Sequence, residues 1–542
     1  ITQTGNQWTV TSLVDGADGT TFRFNGGAEQ TSLSFAAPLS LKANLGAGHD
    51  EMVLVDTDIA KAVSINMGDG NDTLDFTGTK FQLTASVLMG NGDDYFTAGD
   101  GLTFNKGLTV DLGKGANTFD INTSTLLSNG NITASASGSV LEEQNFLLQA
   151  GTGTINGSLT LKTTTASNTN FEIGGLVTDS LVVTKAMTLQ SAAGTDKVTL
   201  RGDLEVGGLL SLKLGHGNNR VVTADLDNLT STGLTYTGGT GSDDFFIEAS
   251  TVTVKGNFTF SAGAGSNVLE VATTGYFDVT KSLNYTGGKD YDELTLRGPD
   301  VFVSGTVNMA ASHGDNVMAM IAGIVDVGAI KFTAGNGYDD VDIGHPEGST
   351  TGAYVASNVN ISTGAGAAEV YFRNGQIVGN VSVATNAGLA AQGVSFIDDV
   401  ILLETNVGGS LMVSMTGQAD SVVEIRNGFF NRNVIINTGN GHDVVYFDTD
   451  TEVPTNGEPV ESEDFVGVSE FYGYVRINLG AGDDTFYTGN DPSTPNVGNT
   501  FFSYVDVYGG TGFDVAEFAD SRRYNNGFQR YQPWVSSIED LT

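Results

Sequence analysis

The chain has 542 residues, of which 63 are acidic, 24 basic and none cysteine, for a formal net charge of −39. So few Lys and Arg exclude nucleic acid as a partner, because phosphate binding needs a basic footprint. The absence of Cys excludes disulfide scaffolds, thiol catalysts and cysteine zinc sites, and no apolar stretch approaches the roughly 20 residues that span a bilayer.

The chain opens at Ile1 without an initiator Met, as expected if a leader has been removed or the sequence is part of a longer product. Residues 1–40 carry no repeat motif. VTSLVDGADGTTFRFNGGAEQTSLSF reads as short strands around Gly turns, expected to form a first coil and end cap. A solenoid end exposes unpaired strand edges and needs such a cover.

From residue 41 the sequence repeats. LGAGHDEMVL at 45–54, NMGDGNDTLDF at 66–76, NTGNGHDVVYF at 437–447 and LGAGDDTFYTG at 479–489 share G-x-G-x-[D/N]-x-h-x-h, where h is apolar. Two more apolar positions precede the first Gly: Val63 and Ile65, Leu108 and Val110, Val434 and Ile436, Val475 and Ile477. Nineteen copies tile the chain from 46 to 510, most of them 22 to 25 residues apart. The copies at 136, 164, 386 and 416 are degenerate.

Apolar residues alternate on both sides of the Gly pair, a period of two that specifies strands rather than helices. A 22–25-residue unit holds two or three short strands and cannot bury its own apolar row, but stacked units can. The expected fold is all-β: a single elongated right-handed parallel β-helix of about 19 coils, on the order of 90 Å long. The cap at 1–40 is followed by a regular β-helix over 41–447 and C-terminal coils over 448–542.

The Asp or Asn two residues after the second Gly has the parity of the inward positions that follow it. Those positions include Leu74 and Phe76, Phe119 and Ile121, Val198 and Leu200, Phe245 and Ile247, Leu269 and Val271, Val341 and Ile343, and Val445 and Phe447. The acid therefore points into the corner. The corner acids are Asp50, Asp72, Asp94, Asp196, Asp243, Asp292, Asp339, Asp443, Asp484 and Asp514, with Asp420 in a degenerate copy. Asn117, Asn168, Asn219, Asn267 and Asn316 fill five copies, and Val140, Ala368 and Ala390 the other three.

Carboxylates stacked about 4.8 Å apart repel and need cations, protons or neutral neighbours. From 196 to 339 Asp and Asn alternate strictly. Two readings fit. In one, hard cations sit in the corner on Asp, Asn and Gly oxygens; Ca²⁺ suits this because it takes 6–8 oxygen ligands in flexible geometry. In the other, the column is a metal-free hydrogen-bonded ladder of turn-favouring side chains. Consecutive Asp at 50, 72 and 94, and again at 420, 443, 484 and 514, favour the cations. The ten acids other than Asp420 are the expected metal ligands.

GGTGFD at 509–514 and GGTGSDD at 238–244 resemble the GGxGxDxUx nonapeptide of RTX-type calcium-binding β-rolls. Nonapeptides come two per coil, whereas this motif occurs once per 22–25 residues. The longer unit, such as RNVIINTGNGHDVVYF at 432–447, more closely resembles the Gly/Asp repeats of large bacterial surface proteins. The resemblance covers about residues 40 to 520 and implies an extracellular, calcium-binding β-helix without implying a reaction.

Residues 448–470 form an acidic, Pro-containing excursion. Beyond it aromatics crowd the chain, among them Phe471, Tyr472, Tyr474, Phe502, Tyr504, Tyr508 and Trp534, and Arg522, Arg523 and Arg530 make the one basic patch. This reads equally as a packed terminal cap or as a contact with another copy. A catalytic site is not expected. Arg373, Arg426 and Arg432 with Asp398–Asp399 are the nearest approach to a cluster, and read as exposed turn residues. His49, His216, His313, His442 and His345 read as solvated turn residues, and no Walker, nucleophile-elbow or HExxH motif occurs. The expected function is a secreted, calcium-stabilised structural β-solenoid at the cell surface, a layer subunit, filament or adhesin that associates with itself. The alternative is a carbohydrate-active β-helix, a lyase, hydrolase or glycan-binding module.

Overall fold

The computed structural model describes residues 40–139, 141–165, 168–176, 178–344, 352–386, 398–448, 469–488 and 499–518, with backbone alone for a few short strands toward the ends. The chain forms two compact units, Ile1–Gly256 and Asn257–Thr542. Each is a parallel β-solenoid, and together they make about 16 turns. That is slightly fewer than the 19 coils expected from the motif copies.

In the first unit a coil consists of Val63–Asp69, Thr73–Thr77 and Lys80–Phe81, and the next of Ala85–Asn91, Tyr95–Gly99 and Leu102–Phe104. Ala85 lies over Val63, Val87 over Ile65 and Phe96 over Leu74. The register equals the sequence repeat because slipping by one residue would turn every buried side chain outward. Strand Val63–Asp69 shows the resulting alternation: Val63, Ile65 and Met67 are buried while Ser64 faces water. Like side chains stack as a consequence. Phe96 and Phe119 lie 5.2 Å apart at 7°, and Phe146 and Phe171 5.3 Å apart at 17°.

The second unit repeats the principle with aliphatic side chains. Leu269, Leu294, Met318, Val341, Val370, Val400, Val423 and Val445 succeed one another in register and are fully buried. All the inward positions expected two and four residues after each corner are buried here and in the first unit. Ahead of the first coil, Thr2–Thr4, Gln7–Thr11 and Ser32–Ala36 pair antiparallel, and Thr2 meets Val55 of that coil. Most of the 448–470 excursion, and the side chains of Arg522, Arg523, Arg530 and Trp534, lie outside the described residues.

The Gly pair is imposed by the stacking. Gly90 adopts φ 121°, and a Cβ there would overlap the carbonyl oxygen of Gly68 in the coil before. Gly101 also has positive φ, at 73°, but faces open space. Gly90→Ala is therefore expected to lower unfolding free energy by well over 2 kcal/mol, roughly, while Gly101→Ala costs about 1 kcal/mol of backbone strain alone. Urea titration of the two variants checks this, and equal losses would remove the steric argument.

Candidate metal centre

The corner residues form one buried row in each unit. In the first unit the order is Asp50, Asp72, Asp94, Asn117, Gln144, Thr169, Asp196, Asn219 and Asp243. In the second it is Asn267, Asp292, Asn316, Asp339, Ala368, Asp398, Ser421, Asp443, Asp484 and Asp514. All ten expected acids occupy the row, and the Asp/Asn alternation is present within each unit. Asp50 is only partly buried, while the other nine expose 2% or less.

The degenerate copies were misaligned in sequence. Thr169, not Asn168, fills its rung, and Ser421, not Asp420, fills another. Asn168 and Asp420 stand one residue earlier on the outer side of the turn. Asp398 rather than Ala390 holds the next corner, and Gln144 stands where Val140 was expected. Val140, Ala390 and His345 themselves lie outside the described residues. Insertions before these corners displaced the motif, and only the pairing register restores the alignment.

Two hydrogen-bonded ladders run through the corner in opposite directions. In the inner one, each side chain reaches back to the preceding coil. Asp72 Oδ1 accepts the Asp50 N–H at 2.8 Å, Asp94 Oδ1 that of Asp72 at 2.9 Å, and Asp484 Oδ1 that of Asp443 at 2.8 Å. In the outer one, side chains reach forward. Asn71 Oδ1 accepts the Asp93 N–H at 2.9 Å, Asp93 Oδ1 that of Ala116 at 2.8 Å, and Asp483 Oδ1 that of Phe513 at 2.8 Å. Histidines do the same work: His49 Nδ1 accepts the Asn71 N–H and His216 Nδ1 that of Thr240, both at 3.0 Å. Asp420 serves His442, and Asn168 serves Thr195. Sequence reasoning missed this outer row; its signal is the Asn, Asp or His one or three residues before the corner.

The second oxygen of the inner carboxylates carries the chemistry. The Oδ2 atoms of Asp72, Asp94, Asp339, Asp443 and Asp484 are buried without a hydrogen-bond donor. What surrounds that position is seen in the Asn coils, where Oδ1 accepts the same backbone N–H and Nδ2 takes the place of Oδ2. Asn117 Nδ2 donates to Gly115 O at 3.2 Å, Asn219 Nδ2 to Gly217 O at 3.2 Å, and Asn316 Nδ2 to Gly314 O at 2.6 Å. The glycine carbonyls thus point at this atom. An Asp in its place brings a charged oxygen against carbonyl oxygens, a site that calls for a proton or a hard cation.

Burial displaces the titration of these acids accordingly. Desolvation pushes Asp94, Asp339 and Asp484 up to about 7, and Asp196, Asp243 and Asp292 up to about 6. It also raises Asp72 and Asp443. Backbone and side-chain hydrogen bonds oppose the rise without cancelling it.

The donors fit Ca²⁺ in kind: hard oxygens only, from carboxylate and carbonyl groups. Among the described residues no three His, Cys, Asp or Glu side chains converge. A corner cation would rest on carboxylates of adjacent coils and on glycine carbonyls.

The Arg373, Arg426 and Asp398–Asp399 group does not converge on one point. Arg373 and Arg426 share one outward column, separated by Leu403. Each is tied to a carboxylate, Arg373 to Asp342 at 3.8 Å and Arg426 to Glu424. Asp398 faces inward to the corner, whereas Asp399 stands outward beside Glu369. Compared with known proteins, the chain matches no protein family, no curated protein and no solved structure.

Proposed function

We propose that the chain is a secreted, calcium-stabilised structural β-solenoid that serves at the cell surface as a layer, filament or adhesin subunit. One observation carries the reading: at Asp72, Asp94, Asp339, Asp443 and Asp484 a buried carboxylate oxygen lacks a donor, at the position where the Asn coils direct an amide to glycine carbonyls. Bound Ca²⁺ supplies positive charge that the chain, at net −39, does not supply itself. Asp and Gly oxygens hold the ion, and because the corner exists only when coils are stacked, binding stabilises the folded state. The RTX-like Gly/Asp repeat supports an extracellular setting, where calcium is plentiful. Self-association would use the aromatic surface of the second unit. Phe429, Tyr472 and Phe502 follow one another along its outer face, Tyr472 and Phe502 stacked 4.4 Å apart and Tyr472 43% exposed.

Thermal melting with excess Ca²⁺ and with EDTA tests the metal. The expected result is a fall in Tm of several °C on chelation; identical curves would remove calcium from the account.

The carbohydrate reading has one observation in its favour. A depression in the first unit is lined in part by Asn122, Gln149, Glu172, Asp179 and Arg201. Arg201 is held there by Glu172 at 2.9 Å and Asp225 at 3.4 Å. Oligosaccharide binding that disappears in Arg201→Ala would favour this reading. The stacked aromatics do not add to it, since rings stacked on one another offer sugars their edges rather than their faces.

A further inference from the structure

The corner row looks uniform in sequence, yet its carboxylates differ in what meets their second oxygen. At Asp196 the Ser191 hydroxyl approaches Oδ2 at 2.5 Å. Leu214 O lies 2.6 Å from the same hydroxyl, but the charged acceptor takes its single proton. At Asp398 the Thr385 hydroxyl donates to Oδ2 at 2.6 Å, and at Asp292 the Gly288 N–H does so at 2.8 Å. Each donor belongs to the same coil as its acid and fills the space a cation would take. In the Asn coils the side-chain amide fills it.

Five acids without such a donor stand in two runs. Asp50, Asp72 and Asp94 occupy consecutive coils of the first unit, Asp443 and Asp484 consecutive coils of the second. Five residues before Asp72, Asp94 and Asp484 stand Met67, Met89 and Leu479, which have no hydrogen to give. Thr438 precedes Asp443 by the same interval and partly offsets the rise in its titration, but its hydroxyl proton goes to Leu479 O at 2.5 Å. Asp339 is also open, with the neutral Asn316 and Ala368 on either side.

The number of charges then selects the sites. Two adjacent carboxylates neutralise one divalent cation, whereas a lone one leaves a buried positive charge uncompensated. Resting on the calcium reading above, we infer that divalent cations occupy the corner in the Asp50–Asp72–Asp94 and Asp443–Asp484 runs, and not at Asp196, Asp292 and Asp398, where a donor of the same coil takes the second oxygen, nor at the lone Asp339. The selection is thus made by what meets the second carboxylate oxygen, and not by the motif.

Bound Ca²⁺ per chain, measured by elemental analysis after equilibrium dialysis of the full chain, tests this. Asp94→Asn and Asp484→Asn are expected to lose bound calcium and to shrink the EDTA-induced fall in Tm. Asn has the volume of Asp and already occupies rungs 117 and 219, so the fold should survive. Asp196→Asn, Asp292→Asn and Asp398→Asn are expected to keep wild-type calcium and the wild-type EDTA response. Equal loss from the Asp196, Asp292 and Asp398 variants overturns the selection while leaving calcium binding intact. A wild-type chain that binds no calcium overturns the underlying reading instead.

Discussion

Phe96→Ala is expected to lower the unfolding free energy by about 4 kcal/mol, the upper range for emptying a buried aromatic site. Phe96 is wholly buried, stacks on Phe119 at 5.2 Å and receives the edge of Phe76 at 5.3 Å. A parallel sheet makes such a column unforgiving. The coils above and below are held at strand spacing by their ladders, so they cannot collapse into the void. Because each coil touches mainly its neighbours, a cavity in one coil weakens two interfaces at once. Leu88→Ala in the same coil is the control: its side chain points outward and is 49% exposed, and the expected change stays within about 0.5 kcal/mol. Urea unfolding followed by circular dichroism reads both. Similar losses in the two variants would mean that the aromatic column contributes little beyond its pattern.

That column was legible in the sequence, and the reason is geometric. In stacked coils the partner of a residue is the residue one repeat later, so Phe96 over Leu74 and Ala85 over Val63 follow once the repeat length is known. The corner was legible to the same degree wherever the motif was intact. It failed at Asn168, Asp420, Val140 and Ala390, where insertions moved the motif against the register. Asp398 shows the difficulty well: the hydroxyl that meets it belongs to Thr385, thirteen residues earlier. A second gap is chemical. Sequence parity places an Asp inside the corner but does not say which of its oxygens a backbone N–H will take, and the outer ladder of Asn71, Asp93 and His49 lay hidden because those residues read as ordinary turn formers.

The same buried acids imply an inverted response to pH. In EDTA, acidification from pH 8 to 5 is expected to raise Tm, on the order of 5 °C or more. Asp196, Asp243 and Asp292 are pushed up to about 6 and Asp339 to about 7, chiefly by burial. Unfolded, such groups titrate near the ordinary carboxylate value of about 4. Each therefore binds its proton more tightly when folded. Its contribution to stability is complete below about pH 4 and is lost as pH rises through 6 to 7. The physical cause is visible at Asp339: the protonated acid has a hydrogen to offer where Asn316 offers its amide, and the ionised acid does not. Acidification also relieves the self-repulsion of a chain at net −39, which acts in the same direction. Calcium should oppose the trend, because a bound cation favours the charged form and protons compete with it for the same oxygens. The Tm gained from Ca²⁺ is thus expected to be largest near pH 8 and to shrink toward pH 5. A Tm in EDTA that falls steadily on acidification would show that the corner acids stay ionised in the folded chain, and would leave their unpartnered oxygens without either a proton or a cation.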